Sequence, residues 1–334
     1  MRIKIHGCRG SIPVAGSQFA TYGGNTTCIR VLSDHLPEGS ALILDGGSGL
    51  VPASQEMRKE GISKVYFLLS HYHWDHTIGL TLSPLMFMKD VSIVMGGPVQ
   101  NEVGTLEVCE TLFKQPFFPV DYREVASHIQ HMRFDVPSAQ VFLLHRYGGH
   151  TLLDLDAYEN LVTSGDPVTF STGRFALDEC LVIRMHRTNH PDMTITFRVD
   201  ERPTGKSFAL LTDHENQDGI PLSLKAHLRG VDLLVADCQY SRQAYDSFSA
   251  GFGHATPDYA VRLAQETGAK TMLLTHHDPQ ASDEQVESLV REAVSHAGSD
   301  SDLDIKPASD GSTYELEEDE ARDSSIPSAR DSSF

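Results

Sequence analysis

The chain has 334 residues, 40% hydrophobic and 22% charged, with a formal net charge of −19. Such a composition fits a soluble globular protein with a sizeable core. It holds no run near the ~18 apolar residues of a membrane span, and its acidity disfavours a long nucleic-acid partner.

In chain order, Met1-Arg2-Ile3-Lys4-Ile5-His6-Gly7 reads directly as a first strand, without the apolar stretch of a secretory signal. The expected location is therefore cytoplasmic. The five cysteines are scattered and form no C-x-x-C pair, which fits reduced thiols. Strand patterns follow at 28–32, 41–45 and 64–69, with a helix at 51–60.

The strand at 64–69 runs into Ser70-His71-Tyr72-His73-Trp74-Asp75-His76, three imidazoles and a carboxylate within six residues. These are ligand types for borderline divalent metals. Neutral polar side chains crowded at a strand end would otherwise each need a partner.

Further strands are expected at 91–95, 140–144, 180–185, 193–199, 207–212, 232–236 and 271–275, and helices at 99–112, 121–130, 221–228, 256–267 and 282–296. Three of the later strands have a ligand-type residue at or near one end. His190 precedes the strand beginning at Met193, Asp213 follows Leu211-Thr212, and His276-His277 follows Leu274-Thr275. His276 stands directly after its strand, so His277 and Asp278 become candidates for orienting the ligands. His145, His150 and His186 compete with His190. Gly251-Phe252-Gly253-His254-Ala255-Thr256 places a further histidine just before a helix that starts at Pro257. Beyond Gly311 the apolar pattern fades into acids and serines, so residues 1–312 are read as one domain and 313–334 as a disordered acidic tail.

The pattern His71-x-His73-x-Asp75-His76 after an apolar strand resembles the metallo-β-lactamase superfamily in its hydrolase form. The flavodiiron branch has a glutamate where His73 stands. His6-Gly7-Cys8-Arg9-Gly10-Ser11, Tyr22-Gly23-Gly24-Asn25-Thr26-Thr27 and Leu44-Asp45-Gly46-Gly47-Ser48-Gly49 resemble the phosphodiesterase branch, which includes the phosphonate-pathway cyclic phosphodiesterase and tRNA 3′-processing endonucleases.

The resemblance implies an α/β fold, an αβ/βα four-layer sandwich with the site at the sheet edge. It implies two divalent cations, zinc first with manganese or iron open. His71, His73 and His190 would hold one, Asp75, His76 and His276 the other, with Asp213 between them. Catalysis would fall to Asp75, Asp213 and His254, with a metal-bound hydroxide as nucleophile and His254 on the substrate side. The implied activity is hydrolysis of a small or cyclic phosphodiester such as a cyclic nucleotide. The alternatives are lactone or thioester hydrolysis, or ligand sensing without turnover. No membrane partner is expected, and the branch admits a homodimer. The chain departs from the branch in a longer segment at 145–180 and in lacking a basic flexible arm.

Overall fold

The computed structural model describes residues 1–215 and 219–316. Two large sheets lie face to face. Edge to edge, the first runs Thr313–Glu315, Arg2–Gly7, Cys28–Leu32, Ser40–Leu44, Lys64–Leu68, Ser92–Pro98 and Ile129–Phe134. The second runs Asp304–Pro307, Thr271–Thr275, Leu233–Asp237, Lys206–Leu211, Ile195–Glu201, Cys180–Arg187, Gln140–His145 and Gly149–Asp154.

The strands sort their side chains with a period of two, as a pleated sheet requires. Ile3, Ile5, Ile29, Val31, Leu42, Leu44, Tyr66 and Leu68 meet Phe197, Val199, Phe208, Leu210, Val235 and Leu273 in the core between the sheets. Alternate residues of the first sheet, Ala41, Ile43, Val65, Phe67, Ile93 and Met95, pack with Leu50, Ala53 and Met57 of the helix Leu50–Lys59. Alternate residues of the second, Ala209, Leu211, Leu234, Ala236, Met272 and Leu274, pack with the helix Pro257–Thr267 and with Ala293 of Asp283–Ala297. Central strands buried on both faces explain the near-continuous apolar runs at 41–44, 65–69 and 208–211. Each large side chain so buried stabilises the fold by about 1.5–3 kcal/mol. The result is the expected four layers, helix, sheet, sheet, helix.

Ser40–Leu44, Lys64–Leu68 and Ser92–Pro98 are parallel neighbours, as are Lys206–Leu211, Leu233–Asp237 and Thr271–Thr275. Parallel strands deliver their C-terminal ends to one edge, where α/β proteins build their sites. Backbone bonds stitch the sheets together there. Ile195 N donates to Ser70 O at 3.0 Å, Gly10 N to His277 O at 3.0 Å, and His277 N to Cys8 O at 3.0 Å.

Several elements differ from expectation. The helix expected at 99–112 begins only at Thr105, because Gln100 and Val103 form a tight bridge with Asn101 and Glu102 at positive φ. The helix expected at 121–130 is a short turn, Tyr122–Val125, and Ile129–Phe134 is an edge strand. Residues 145–180 form the hairpin partner Gly149–Asp154, the helix Leu155–Ser164 and a small hairpin, Val168–Phe170 with Gly173–Phe175. Thr313–Glu315 pairs antiparallel with Arg2, Ile3 and Lys4, so folded chain continues past the expected boundary at 312. The acidic residues from 317 onward lie outside the described residues. All five cysteines are buried and free. Among the described residues no helix is long and apolar enough to cross a membrane.

Candidate metal centre

His71, His73, Asp75 and His76 sit on the turn after Lys64–Leu68, in and before the single helical turn Trp74–Thr77. His190 comes from the loop between Cys180–Arg187 and Ile195–Glu201. Asp213 and His276 follow the parallel strands Lys206–Leu211 and Thr271–Thr275. Asp45, Asp213 and His276 take φ of 62°, 48° and 60°, a left-handed conformation unfavourable to non-glycine residues. Strain of this kind collects at functional sites, where the surrounding structure holds it.

These positions converge into two groups able to hold a metal ion, His71–His73–His190–Asp213 and Asp75–His76–Asp213–His276. Asp213 divides its oxygens between them. Its Oδ2 lies 3.5 Å from His71 Nε2 and 4.0 Å from His190 Nε2, and its Oδ1 lies 3.1 Å from His76 Nε2 and 3.3 Å from His276 Nε2. Asp75 Oδ2 is 3.1 Å from His276 Nε2 and 3.4 Å from His76 Nε2. All seven ligand candidates are thus gathered in one place. Of the adjacent pair, His276 enters the cluster, whereas His277 donates to Ala308 O at 3.0 Å. Asp278 also faces elsewhere, its Oδ1 accepting from Gln280 N. His145 stacks on Phe175, His150 packs against Tyr66, and His186 bonds to Arg187 O, all outside the cluster.

The fit to a cation is visible in how each imidazole spends its nitrogens. His76 Nδ1 donates to Asp45 Oδ2 at 3.0 Å, His276 Nδ1 to Gln239 Oε1 at 3.0 Å, and His190 Nδ1 to Gly253 O at 3.1 Å. His73 donates through Nε2 to Asp192 at 2.8 Å, and His71 Nδ1 lies 3.0 Å from Ser70 Oγ. One nitrogen per ring is thereby anchored, and the other is left with its lone pair aimed at the cluster. His71 Nε2 is buried with no hydrogen-bond partner at all. An orphaned buried acceptor of this kind is costly unless something binds it.

Electrostatics agree. Asp45, Asp75, Asp213 and Asp237 are all buried at this edge. Burial alone would raise the Asp213 carboxyl, but His276, His76 and His71 outweigh it and hold it well below the usual range. Asp75 is likewise held down, against burial, by His76 and His276. His71 is pushed well below its ordinary value by burial and by neighbouring imidazoles. His76, by contrast, is held well above its ordinary value, against burial, by Asp75, Asp213 and Asp45, so a divalent cation would displace a proton there; imidazoles beside ionised carboxylates are a donor set suited to zinc, manganese or iron.

His254 stands beside both groups. Its ring stacks 4.8 Å from that of His276 and lies 5.6 Å from that of His190. Its Nδ1 is 2.8 Å from Asp237 Oδ2, so Nε2 is the nitrogen available to a substrate. Asp237 is a further candidate, absent from the motifs named above. Its signal was present, an acid closing the apolar strand Leu233–Asp237 just as Asp213 follows Leu211. Gln239 is absent from them too. It ties His276 to the N-terminal loop, its Nε2 donating to Ser11 Oγ at 3.2 Å, while Ser11 N donates to Asp75 Oδ2 at 2.7 Å.

Residues 44–277 match the family model described as a beta-lactamase superfamily domain. No curated protein matches the chain in sequence. Among solved structures, the chain resembles the metallo-beta-lactamase fold protein YhfI from Bacillus subtilis, with 21% identity, TM-score 0.60, and 94% of this chain and 99% of that one covered. A diphosphatase from the PhnP family shares 17% identity, TM-score 0.58, over 95% and 98% of the two chains. The short form of human tRNase Z shares 16% identity, TM-score 0.55, over 95% and 100%. At these identities the likeness is one of fold.

Proposed function

This chain belongs to the β-lactamase superfamily, and from that premise we propose that it is a metal-dependent hydrolase of small or cyclic phosphodiesters. The observation that carries the reading is the Asp237–His254 pair set against two ligand groups that share Asp213. Ester hydrolysis with an alkoxide leaving group needs a proton donor beside the electrophilic centre, and His254 is placed to be one. The names of structural relatives, a diphosphatase, a tRNase Z and yeast PDE1, lend support to phosphorus as the centre attacked. The body of the chain, at −13 without residues 310–334, favours a small substrate over a long polyanion.

His71, His73 and His190 would hold one divalent cation and Asp75, His76 and His276 a second, with Asp213 serving both; zinc is the first choice for this nitrogen-rich set. When bound, such a pair supplies Lewis acidity and an ionised water at neutral pH. The protein's own residues do the rest. Asp45, Gln239, Asp192 and the Gly253 carbonyl fix ring orientation and tautomer, so that no ligand has to reorganise. His254 releases its Nε2 proton to the departing oxygen, and Asp237 keeps the Nδ1 proton in place and steadies the imidazole. The substrate is a small phosphodiester, cyclic nucleotides included, and the setting is cytoplasmic.

The test is a panel of bis(4-nitrophenyl) phosphate, cyclic nucleotides, lactones and thioesters, run beside elemental analysis. Chelator-sensitive cleavage of a phosphodiester is expected. Metal-loaded protein that cleaves a lactone or thioester and no phosphodiester would overturn the reading.

A further inference from the structure

Next to the ligand cluster lies a cavity of about 450 Å³ whose lining includes His254 but none of the seven ligand positions. The volume falls within the range of small-molecule sites. His254 therefore forms a shared wall, with His276 and His190 near its ring and the cavity open beside it. A molecule whose phosphate meets the ligand cluster can place its departing group in this space.

The walls indicate what that group is. The Arg242 guanidinium lies 5.3 Å from the Tyr245 ring centroid, and the Arg262 guanidinium 5.8 Å from that of Tyr259. Both arginine side chains are about half exposed. Guanidinium planes and tyrosine rings are surfaces for stacking flat aromatic groups. Ala250 and Ala255 complete the apolar part of the lining. The shape is built in. Glu215 accepts from Gly251 N and Gly253 N, both at 2.8 Å, and from the Tyr245 hydroxyl, which fixes the 245–253 loop around a π-helical turn at Tyr245–Ser249. Arg242 pairs with Asp258. Arg242 is thus matched within the lining by Asp258, and Arg262 is matched by Glu266 just outside it. A second phosphate would meet guanidiniums already engaged by carboxylates, whereas a neutral flat ring needs only their faces.

We infer that this cavity receives an aromatic ring system carried on the leaving oxygen of the substrate, stacked between the arginine–tyrosine pairs. The inference takes its reaction from the phosphodiesterase reading, but its binding test stands apart from turnover. Metal-loaded full-length protein is titrated with adenosine 5′-monophosphate and with ribose 5-phosphate. Both present a phosphate, and only one carries a ring to stack. The nucleotide is expected to bind about tenfold tighter or more, the scale of one base stacked on side chains. Arg262→Ala is expected to remove most of that advantage and leave ribose 5-phosphate within about twofold of wild type. Phenyl phosphate set against methyl phosphate separates the two sources of such a ring. An equal gain there assigns a plain aryl group, and a smaller one assigns a base whose polar edge also counts. Equal affinity for nucleotide and sugar phosphate, or an advantage that survives in Arg262→Ala, would overturn the inference. Nucleotide preference without phosphodiester turnover sinks the reaction and leaves the cavity's ligand class standing. Turnover without the preference does the reverse.

Discussion

Asp45→Asn tests how the cluster is held. The Asp45 side chain is fully buried, with Oδ1 accepting from Ser70 N at 2.7 Å and Oδ2 accepting from Ser70 Oγ at 2.9 Å and His76 Nδ1 at 3.0 Å. An asparagine fits the space but cannot accept at both positions. If its NH₂ faces His76, the imidazole must carry its proton on Nε2, the nitrogen that points at Asp213 and His276. If its NH₂ faces Ser70 N, two donors meet in a buried site, at a cost of about 1–3 kcal/mol. Either arrangement spoils an anchored ligand, and losses of that type run to about 10–100-fold in metal affinity, or roughly 1.4–2.8 kcal/mol. The loss should fall first on the group containing His76, and less on the His71 group, which Asp45 reaches only through Ser70 Oγ. A chelator-competition titration, with circular dichroism to verify folding, measures this. A folded Asp45→Asn protein that binds both equivalents of zinc within about twofold of wild type would refute the reasoning.

Three further outcomes follow from the same geometry. His254→Ala should slow phosphodiester turnover by about 10²–10⁴-fold with metal content unchanged, and recovery of that variant metal-free would remove His254 from the substrate side. Gly10→Ala would place a Cβ 2.3 Å from His276 Nδ1, so overpacking should cost about 1–3 kcal/mol, read from the urea midpoint; an unchanged midpoint would show that His276 is free to move. Burial, joined by Lys4 and Arg30 and opposed by Glu56, lowers the His6 pKa from 6.5 to about 4. The unfolded chain then takes up the proton first as pH falls, so stability is lost between about pH 6.5 and about pH 4. His6→Gln should make the fall of the urea midpoint across that window shallower, since His214 and His277 are lowered to about 4 as well, and an identical pH slope in both proteins would contradict the assignment.

The centre of each sheet was legible in the sequence because strands buried on both faces write long apolar runs, as at 64–69 and 207–212. Ligand residues at the ends of those runs were legible for the same reason, since parallel strands bring their C-terminal ends together. The edges were not. Ile129–Phe134 buries mainly Phe134, so its pattern is weak, and the helical signal of Tyr122–Val125 ran over it. Thr313–Glu315 owes its place to Arg2, Ile3 and Lys4 at the opposite end of the sequence, a pairing no local window contains. The anchoring groups were hidden differently. Gln239 carries no sequence signature, and Asp237, though it closes an apolar strand, is set beside His276 only once Leu233–Asp237 lies beside Thr271–Thr275. The choice between His276 and His277 rested on which way a single residue at positive φ turns, and that is settled by packing against Cys8 and Ala308.

The first 134 residues supply all of one sheet except its outermost strand, and residues 140–307 supply the whole of the other. The chain therefore divides at the short turn Pro137–Ala139 into two stretches, each the main source of one sheet around the shared core. Each piece owns only part of the donor set, with His71, His73, Asp75 and His76 on one and His190, Asp213 and His276 on the other. Nicked at that turn, the fragments should reassociate more tightly with divalent ions than without them, the cation acting as the rivet between halves.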